Sequence, residues 1–283
     1  MIKSIPIHDF VSDSKDSVFF KYISLGALSN YDFSLPHRHN YYEIFFFTKG
    51  GGSHLIDFLP YPIQDGSIHF VSPGQVHTVK RALDTYGSIV LFSRDFFHSI
   101  PGIQQTLFNF PFLNNSQFPI LPVSAADYAE FGPILNQVQN EIEKDQEKAT
   151  AILHSYLNII LLKCLQLFDV HYPAYQAKSS SLFNDFRALL ENDYRTQRQP
   201  ASYASKLNIS EKKLNLLCKE HNGVSVSEYI KGRILLEAKR ILSNTDHSIK
   251  EIASFLHFED PSYFNRFFKS NTGMTAGEFR KSK

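Results

Sequence analysis

Ser248 to Arg280 reads SIKEIASFLHFEDPSYFNRFFKSNTGMTAGEFR, and an imperfect copy of that unit, YASKLNISEKKLNLLCKEHNGVSVSEYI, occupies Tyr203 to Ile230. Leu214, Asn215, Leu217, Lys219, Gly223, Ser225, Glu228 and Tyr229 fall fifty positions before Phe264, Asn265, Phe267, Lys269, Gly273, Thr275, Glu278 and Phe279. Upstream the register slips by one, because Ala204 pairs with Ala253 and Leu207 with Leu256. The second unit therefore carries one extra residue in its turn, where a duplicated unit tolerates insertion.

Each copy carries the punctuation of two short helices. In the second, Ser248 with Glu251 forms a capping box ahead of Ile252, Ala253 and Leu256, and the helix is expected to stop near Leu256. Asp260 is a natural N-cap with Pro261 at the first helical position, and Phe264, Phe267 and Phe268 give the next helix a buried stripe. Its other face carries Ser262, Asn265, Arg266 and Lys269, matched in the first copy by Lys212, Asn215, Leu216 and Lys219. Polar and cationic side chains on such a face reach base edges and phosphates when a helix enters the major groove. A merely solvated face would look similar, but the charge is unevenly placed. Residues 180–283 hold 17 Lys and Arg against 12 Asp and Glu, whereas residues 1–179 hold 12 against 16. A net of +5 in the last third suits contact with a phosphate backbone by that third alone.

Residues from about Ser181 to Lys283 resemble the DNA-binding domain of the AraC/XylS family of bacterial transcription regulators. The match is carried by Ile249-x-x-Ile252-Ala253, Phe258-x-Asp260-x-Ser262-Tyr263-Phe264-x-Arg266-x-Phe268-Lys269, Thr272-Gly273-Met274-Thr275 and Glu278-Phe279-Arg280. The resemblance implies two helix-turn-helix modules joined by a long helix, here about Val226 to Ser243, in which Tyr229, Ile230, Ile234, Ala238, Ile241 and Leu242 recur at helical spacing. Such a spacer would hold both recognition helices on one face of the duplex, roughly 34 Å apart. It implies double-stranded promoter DNA as partner, and RNA polymerase as well if the protein is an activator. The first copy departs from the family pattern in Leu216, where arginine is common, and Cys218, where phenylalanine is common. Guanine reading is therefore expected of Arg266, and apolar contact, to a thymine methyl, of Leu216.

At 283 residues the chain exceeds the roughly 150 of one domain, and 43% hydrophobic content is ample for two cores. No Arg- or Lys-led apolar segment opens it, and the most apolar run, Ala151 to Phe168, is interrupted by His154, Asn158, Lys163 and Gln166. That run is expected to be an amphipathic helix and not a membrane span. Cys164 and Cys218 are the only cysteines, both in expected helices, which argues against a disulfide framework or a catalytic thiol and for a reducing, cytoplasmic setting.

The N-terminal third has an all-β texture. Val18 to Ser24, Tyr41 to Thr48, Ser53 to Phe58, Ser67 to Ser72 and Gly87 to Phe92 are rich in Phe, Tyr, Ile and Val, separated by turn signals such as Lys49-Gly50-Gly51-Gly52, Leu59-Pro60 and Asp65-Gly66. Even spacing of this kind favours a barrel or jelly roll. His37, His39 and Glu43 share parity with Tyr41, Phe45 and Phe47, so a continuous strand would aim them at one face, and His77 follows in Ser72-Pro73-Gly74-Gln75-Val76-His77. With Gly50 and Asp65-Gly66, this pattern resembles both motifs of the cupin superfamily over about residues 30–92. In metal-binding cupins the matching positions are three histidines and a glutamate around one divalent ion. In AraC-type regulators such barrels often hold an organic effector, and the reading adopted is an effector pocket lined by His37, His39, Glu43, Phe45 and His77, with no metal and no other cofactor. If a metal is bound, its ligands are His37, His39, Glu43 and His77. His54 and His69 are expected to be strand or surface residues.

Between barrel and DNA reader, Ser124 to Glu147 and Thr150 to Phe168 read as helices. Ile134, Leu135, Val138 and Ile142, then Ile152, Leu153, Tyr156, Leu157, Ile160, Leu161, Cys164, Leu165 and Phe168, trace stripes wide enough to face both the barrel and a second copy, which suggests a homodimer. Gln176 to Ser181 reads as a linker. The expected protein is multidomain. An all-β cupin-like barrel spans residues 1–115, a helical dimerisation segment 116–175, and an all-α double helix-turn-helix domain 176–283. The function read from it is a cytoplasmic, non-enzymatic transcription regulator answering to a small organic molecule, without membrane contact. The alternative is a metal-dependent cupin enzyme, a dioxygenase or isomerase, fused to a DNA-binding domain.

Overall fold

Two antiparallel sheets face each other in the N-terminal half of the computed structural model, which describes residues 20–26, 35–98, 110–113, 118–142, 149–173 and 181–282. One sheet has the order β1 (Phe20–Leu25), β7 (Tyr86–Phe92), β2 (Tyr42–Lys49), β5 (Ser67–Val71), β8 (Ile120–Leu121). The other has the order β4 (Leu59–Pro62), β3 (Gly52–Ile56), β6 (His77–Arg81). Residues 18–19, residues 143–147 and the expected linker over 176–180 lie outside the described residues.

Strand β2 organises this half. Its first six residues are all buried, a continuous apolar run of the kind found where a strand is covered on both faces. Tyr41, Phe45 and Phe47 join Ile56, Ile63, Val71, Val79, Ile89 and Leu91 in the core between the sheets. Phe46 points the other way, its ring 5.4 Å from that of Phe131. Phe131 opens α3 (Phe131–Ile142), which follows α1 (Arg94–His98) and α2 (Ala125–Ala129) and precedes α4 (Ala149–His171). Helix α4 buries Leu153, Leu157, Ile160, Leu161, Cys164 and Phe168, and His154 Nε2 donates to the Phe97 carbonyl at 2.8 Å. By length and composition α4 is apolar enough to cross a membrane; its buried row is the apolar face expected of an amphipathic helix.

Three strands were not expected. Pro60 and Pro62 look like turn residues, yet both sit in β4, an edge strand, where a missing N–H costs no inner ladder bond. Strand β6 follows directly on the Pro-Gly loop that contributes His77, and β8 is only two residues long. His37 corrects a further expectation: no continuous strand runs from it to Phe47. It forms an isolated bridge with His77, whose N–H donates to the His37 carbonyl at 2.9 Å, while β2 starts at Tyr42.

The chain divides at residues 173 and 174 into two compact units, so the helices α1 to α4 belong with the sheets. The second unit is all helical: α5 (Ser181–Asp193), α6 (Pro200–Lys206), α7 (Glu211–Asn222), α8 (Val226–Asn244), α9 (Ile249–Phe255), α10 (Pro261–Thr272) and α11 (Ala276–Lys281). One core runs through it from Phe183, Phe186 and Leu190 of α5 to Phe264, Phe268 and Phe279. Helix α8 matches the long connecting helix expected. It is clamped to α5 by Arg233, whose Nε donates to Glu191 at 2.8 Å and whose Nη1 donates to Glu237 at 3.2 Å, over the Tyr194 ring. Cys164 and Cys218 are buried free thiols, and burial pushes Cys218 up to about 12, which leaves it unreactive.

Two glycines separate the stability of the units. Gly87 lies opposite Phe47 in the β2–β7 ladder, and a Cβ there would meet the Phe46 carbonyl oxygen at 1.9 Å. Gly232 sits exposed inside α8 with nothing within 4 Å of an added Cβ. In denaturant melts of the full chain, Gly87→Ala should weaken the β unit by about 1–3 kcal/mol. Gly232→Ala should strengthen the helical unit by about 0.5–1 kcal/mol.

Candidate functional site

The two helix-turn-helix units are built to one pattern. Helix α6 ends with Asn208 in the left-handed region at φ 54°, and Ile209 N–H and Asn208 N–H return to the Ala204 and Ser205 carbonyls. Helix α9 ends with His257 at φ 52°, and Phe258 and His257 return to Ala253 and Ser254. This is the six-to-one and five-to-two bonding of a Schellman turn, with non-glycine residues accepting the left-handed conformation in both copies. Ser210 and Asp260 then cap α7 and α10, accepting from Lys213 N–H at 3.2 Å and Tyr263 N–H at 2.8 Å. The extra residue of the second copy is thereby located: the match runs at forty-nine up to Ile209 and Phe258 and at fifty from Ser210 and Asp260, so the insertion is Glu259. Both α7 and α10 end on left-handed glycines, Gly223 and Gly273, and both are followed by capping boxes, Ser225 with Glu228 and Thr275 with Glu278.

These ends orient the faces of α7 and α10. Leu214, Leu217 and Cys218, and likewise Phe264 and Phe268, point into the core. Lys212, Leu216 and Lys219 on α7, and Ser262, Arg266 and Lys269 on α10, are exposed. Leu216 is 47% exposed, an apolar side chain in the middle of a cationic face. Asn215 and Asn265 are half-buried. The Asn215 amide oxygen accepts from Val226 N–H at 3.1 Å, so it is spent on the start of α8. Sequence comparison of the copies did not single out Tyr263, which adds an exposed aromatic ring beside Ser262, or Arg198, which ties the modules together. The Arg198 guanidinium lies 3.7 Å from the centre of the Phe258 ring and donates to the Leu256 and His257 carbonyls at 2.7 and 3.0 Å.

The other candidate site is a line of imidazoles between the two sheets. His39 Nε2 lies 3.1 Å from His77 Nε2, and Glu43 Oε2 lies 3.2 and 3.4 Å from those two nitrogens. These three of the four possible ligands bring their donor atoms within 4.8 Å of one another, and all are buried. His37, which is not in that group, packs its ring 4.1 Å from that of His77 and donates from Nδ1 to the Leu35 carbonyl at 2.9 Å. Phe45 meets His54 edge-on at 4.9 Å, so it borders the imidazole line.

His54 and His69, expected as strand or surface residues, lie in strands β3 and β5, and both are fully buried. His54 Nε2 is 3.1 Å from His77 Nδ1, and His54 Nδ1 is 3.2 Å from His69 Nδ1. Burial holds His54 well below the ordinary histidine range and pushes His69 down to about 3, so both are neutral rings, each with one proton to share. Strand phase carried the signal. His54 has the parity of the core residue Ile56, and His69 that of Val71. As a donor set, two imidazoles and a carboxylate suit a divalent first-row transition ion.

Comparison with known proteins agrees with this division. An AraC-like ligand binding domain model matches residues 22–158, and a helix-turn-helix domain model matches residues 203–282. The HTH-type transcriptional activator RhaR of Yersinia pseudotuberculosis is 22% identical over 289 residues, covering 95% of this chain and 93% of that protein. The uncharacterized HTH-type transcriptional regulator YfiF of Bacillus subtilis is 25% identical, covering 95% and 85%. Among solved structures, unsaturated fatty acid bound ToxT from Vibrio cholerae is 18% identical, with coverage of 93% and 94% and a TM-score of 0.39. The matched relatives are transcription regulators, which favours the regulator over the enzyme alternative.

The caps make the helical unit sensitive to acid. Hydrogen bonds from Ser225, Ser248 and Thr275 hold Glu228, Glu251 and Glu278 below the ordinary carboxylate range, and the Tyr263 N–H does the same for Asp260. A carboxylate with a depressed folded pKa stabilises the fold above its unfolded pKa, and that stabilisation is lost as pH falls through the folded value. The helical fragment should therefore melt at steadily lower temperature as pH drops below 4.5, the ordinary glutamate value. Glu→Gln at 228, 251 and 278 together, which keeps an acceptor in each box, should flatten that slope in thermal melts from pH 6 to pH 3.

Proposed function

Since the chain belongs to the AraC family of transcription regulators, we propose that α7 and α10 are its two DNA-reading helices and that the β unit is its sensor. The observation that carries this is the repetition itself: two units with the same turn, caps and buried rows leave the same cationic face exposed. Lys212, Lys219 and Lys269 contact phosphate, Ser262, Asn265 and Arg266 read bases, and Leu216 offers apolar contact. Asn215 acts from behind the face, through its bond to the start of α8. No catalytic role is assigned to any residue, and the working compartment is the cytoplasm.

Residues 1–115 sense, 116–175 pair two copies, and 176–283 bind promoter DNA, with RNA polymerase as a further partner if the protein activates. A small effector is read by the buried group of His37, His39, Glu43, Phe45 and His77. Pairing is supported by the second face of α4, where Ile152, Ile159, Leu162 and Val170 are exposed, Val170 to 75%. Isolated exposed apolar residues are ordinary; four on one helix face resemble an interface. Ile159→Glu should turn the full-length dimer into monomers by sedimentation velocity, with the fold intact.

The DNA reading is tested by selection on randomised operators. Arg266→Ala should cost about 1–3 kcal/mol and relax a preference for guanine at one position, because its planar fork matches the guanine O6 and N7 acceptors. Lys269→Ala should weaken all sequences evenly and lower the salt dependence. If Arg266→Ala lowers affinity equally for every base, Arg266 binds phosphate and the base-reading role passes elsewhere.

A further inference from the structure

Arg198 belongs to the short connection between α5 and α6, yet it reaches the turn of the second module. Its Nη2 donates to the Leu256 and His257 carbonyls at 2.7 and 3.0 Å, and its guanidinium lies 3.7 Å from the centre of the Phe258 ring. Carbonyls at the end of a helix lack intrahelical donors, and one guanidinium answers two of them here. Arg195, from the same connection, lies 5.0 Å from the centre of the Phe255 ring. Two cations thus sit over two rings of the other module, an arrangement favoured by the ring quadrupole.

The connection is anchored at both ends. Toward α8, the Tyr194 ring lies under the Arg233 guanidinium at 4.0 Å. Toward α6, the fully buried Tyr203 donates its hydroxyl to the Gln197 carbonyl at 2.8 Å, while Thr196 and Gln197 N–H return to the Asp193 carbonyl at 3.0 and 2.8 Å. On the other side Phe258 is buried, its ring centre 5.2 Å from those of Phe264 and Phe267 and 5.6 Å from that of Tyr263. All three belong to α10, on the turns that carry Asn265 and Arg266. Whatever holds Phe258 therefore holds α10. The first module has no matching ring, since Ile209 stands where the second has Phe258.

We infer that Arg198, supported by Arg195, is a positioning residue that fixes α10 relative to α7 and so sets the half-site spacing the protein accepts. Helix α8 holds α9 at its N-terminal end, through Thr245, Asp246 and His247, and Arg198 holds it at its C-terminal end. Two points of attachment remove a rotation that one allows. Apolar packing between the modules is non-directional, whereas hydrogen bonds to two carbonyls fix an angle. One added base pair moves a half-site by about 3.4 Å along the duplex and about 35° around it, so a fixed pair of helices accepts one spacing. The inference rests on α7 and α10 being the reading helices.

The test uses the full chain and short duplexes, each holding one pair of half-sites from the selected operator, with single base pairs added or removed between them. The unsubstituted protein should prefer one spacing by about tenfold over its neighbours, the cost of twisting DNA into register. Arg198→Ala should reduce that preference about three- to tenfold while base preferences within each half-site stay the same. Arg198→Lys, which keeps a charge over the ring but loses the planar fork, should fall between, and Arg195→Ala should act more weakly. Phe258→Leu, which removes the ring and keeps an apolar side chain, should relax spacing in the same direction. Should Arg198→Ala fail to fold, Arg198→Lys and Phe258→Leu carry the comparison. A merely structural role lowers affinity by one factor at every spacing, and unchanged spacing ratios in the folded variants overturn the inference. Equal loss at every spacing with a shallower salt dependence also overturns it and makes Arg198 a phosphate contact. A selection that yields a single half-site removes the two-helix reading and this inference with it, whereas two half-sites with unchanged ratios remove this inference alone.

Discussion

A helix of seven residues cannot hold itself together in water, because its first and last four residues leave backbone groups without partners. Helices α6 and α9 are of that length, and α7 and α10 are only twelve residues long. The helical unit answers with a cap at nearly every boundary and a single core shared by all of them. Ser210, Ser225, Ser248, Asp260 and Thr275 start helices, and Asn208, Gly223, His257 and Gly273 turn the chain out of them. Since the caps fix where each helix begins, they also fix which residues point outward. The cationic face of α10 is a consequence of Asp260 and Gly273 as much as of Arg266 and Lys269.

The β unit meets a different demand. Five imidazoles and one carboxylate are enclosed between two sheets, and buried polar groups must be satisfied by one another or by a ligand. Nitrogen contacts join four of these rings in a line, from His39 beside β2, across β6 and β3, to His69 of β5. The line crosses from one sheet to the other.

Much of this was legible in the residues, and the limits follow from what sequence encodes locally. Caps, turn glycines and the Pro261 start are short-range signals, which is why the boundaries of α9 and α10 and the added turn residue could be read directly. The common phase of Tyr41, Glu43, Phe45 and Phe47 told which side of β2 faces inward. Pairing across strands is not written in any one segment, so the meeting of His54 with both His69 and His77 was hidden, although the phase of each strand pointed inward. Strand β4 was masked by its prolines, which only an edge position permits. Helix α5 shows Phe183, Phe186 and Leu190 at helical spacing, a signal present but overlooked beside the stronger repeat. Asn215 and Asn265 are the same residue at equivalent positions, and only the fold reveals the bond that draws Asn215 inward.

Hydroxyl-radical footprinting of the full-length protein on a selected operator tests most directly whether two modules read one duplex. Two protected patches on one face of the DNA, about one helical turn apart, are predicted, with the α7 patch lost on Lys212→Ala combined with Lys219→Ala and the α10 patch retained. A single patch, or protection that follows the protein over any sequence, would contradict it.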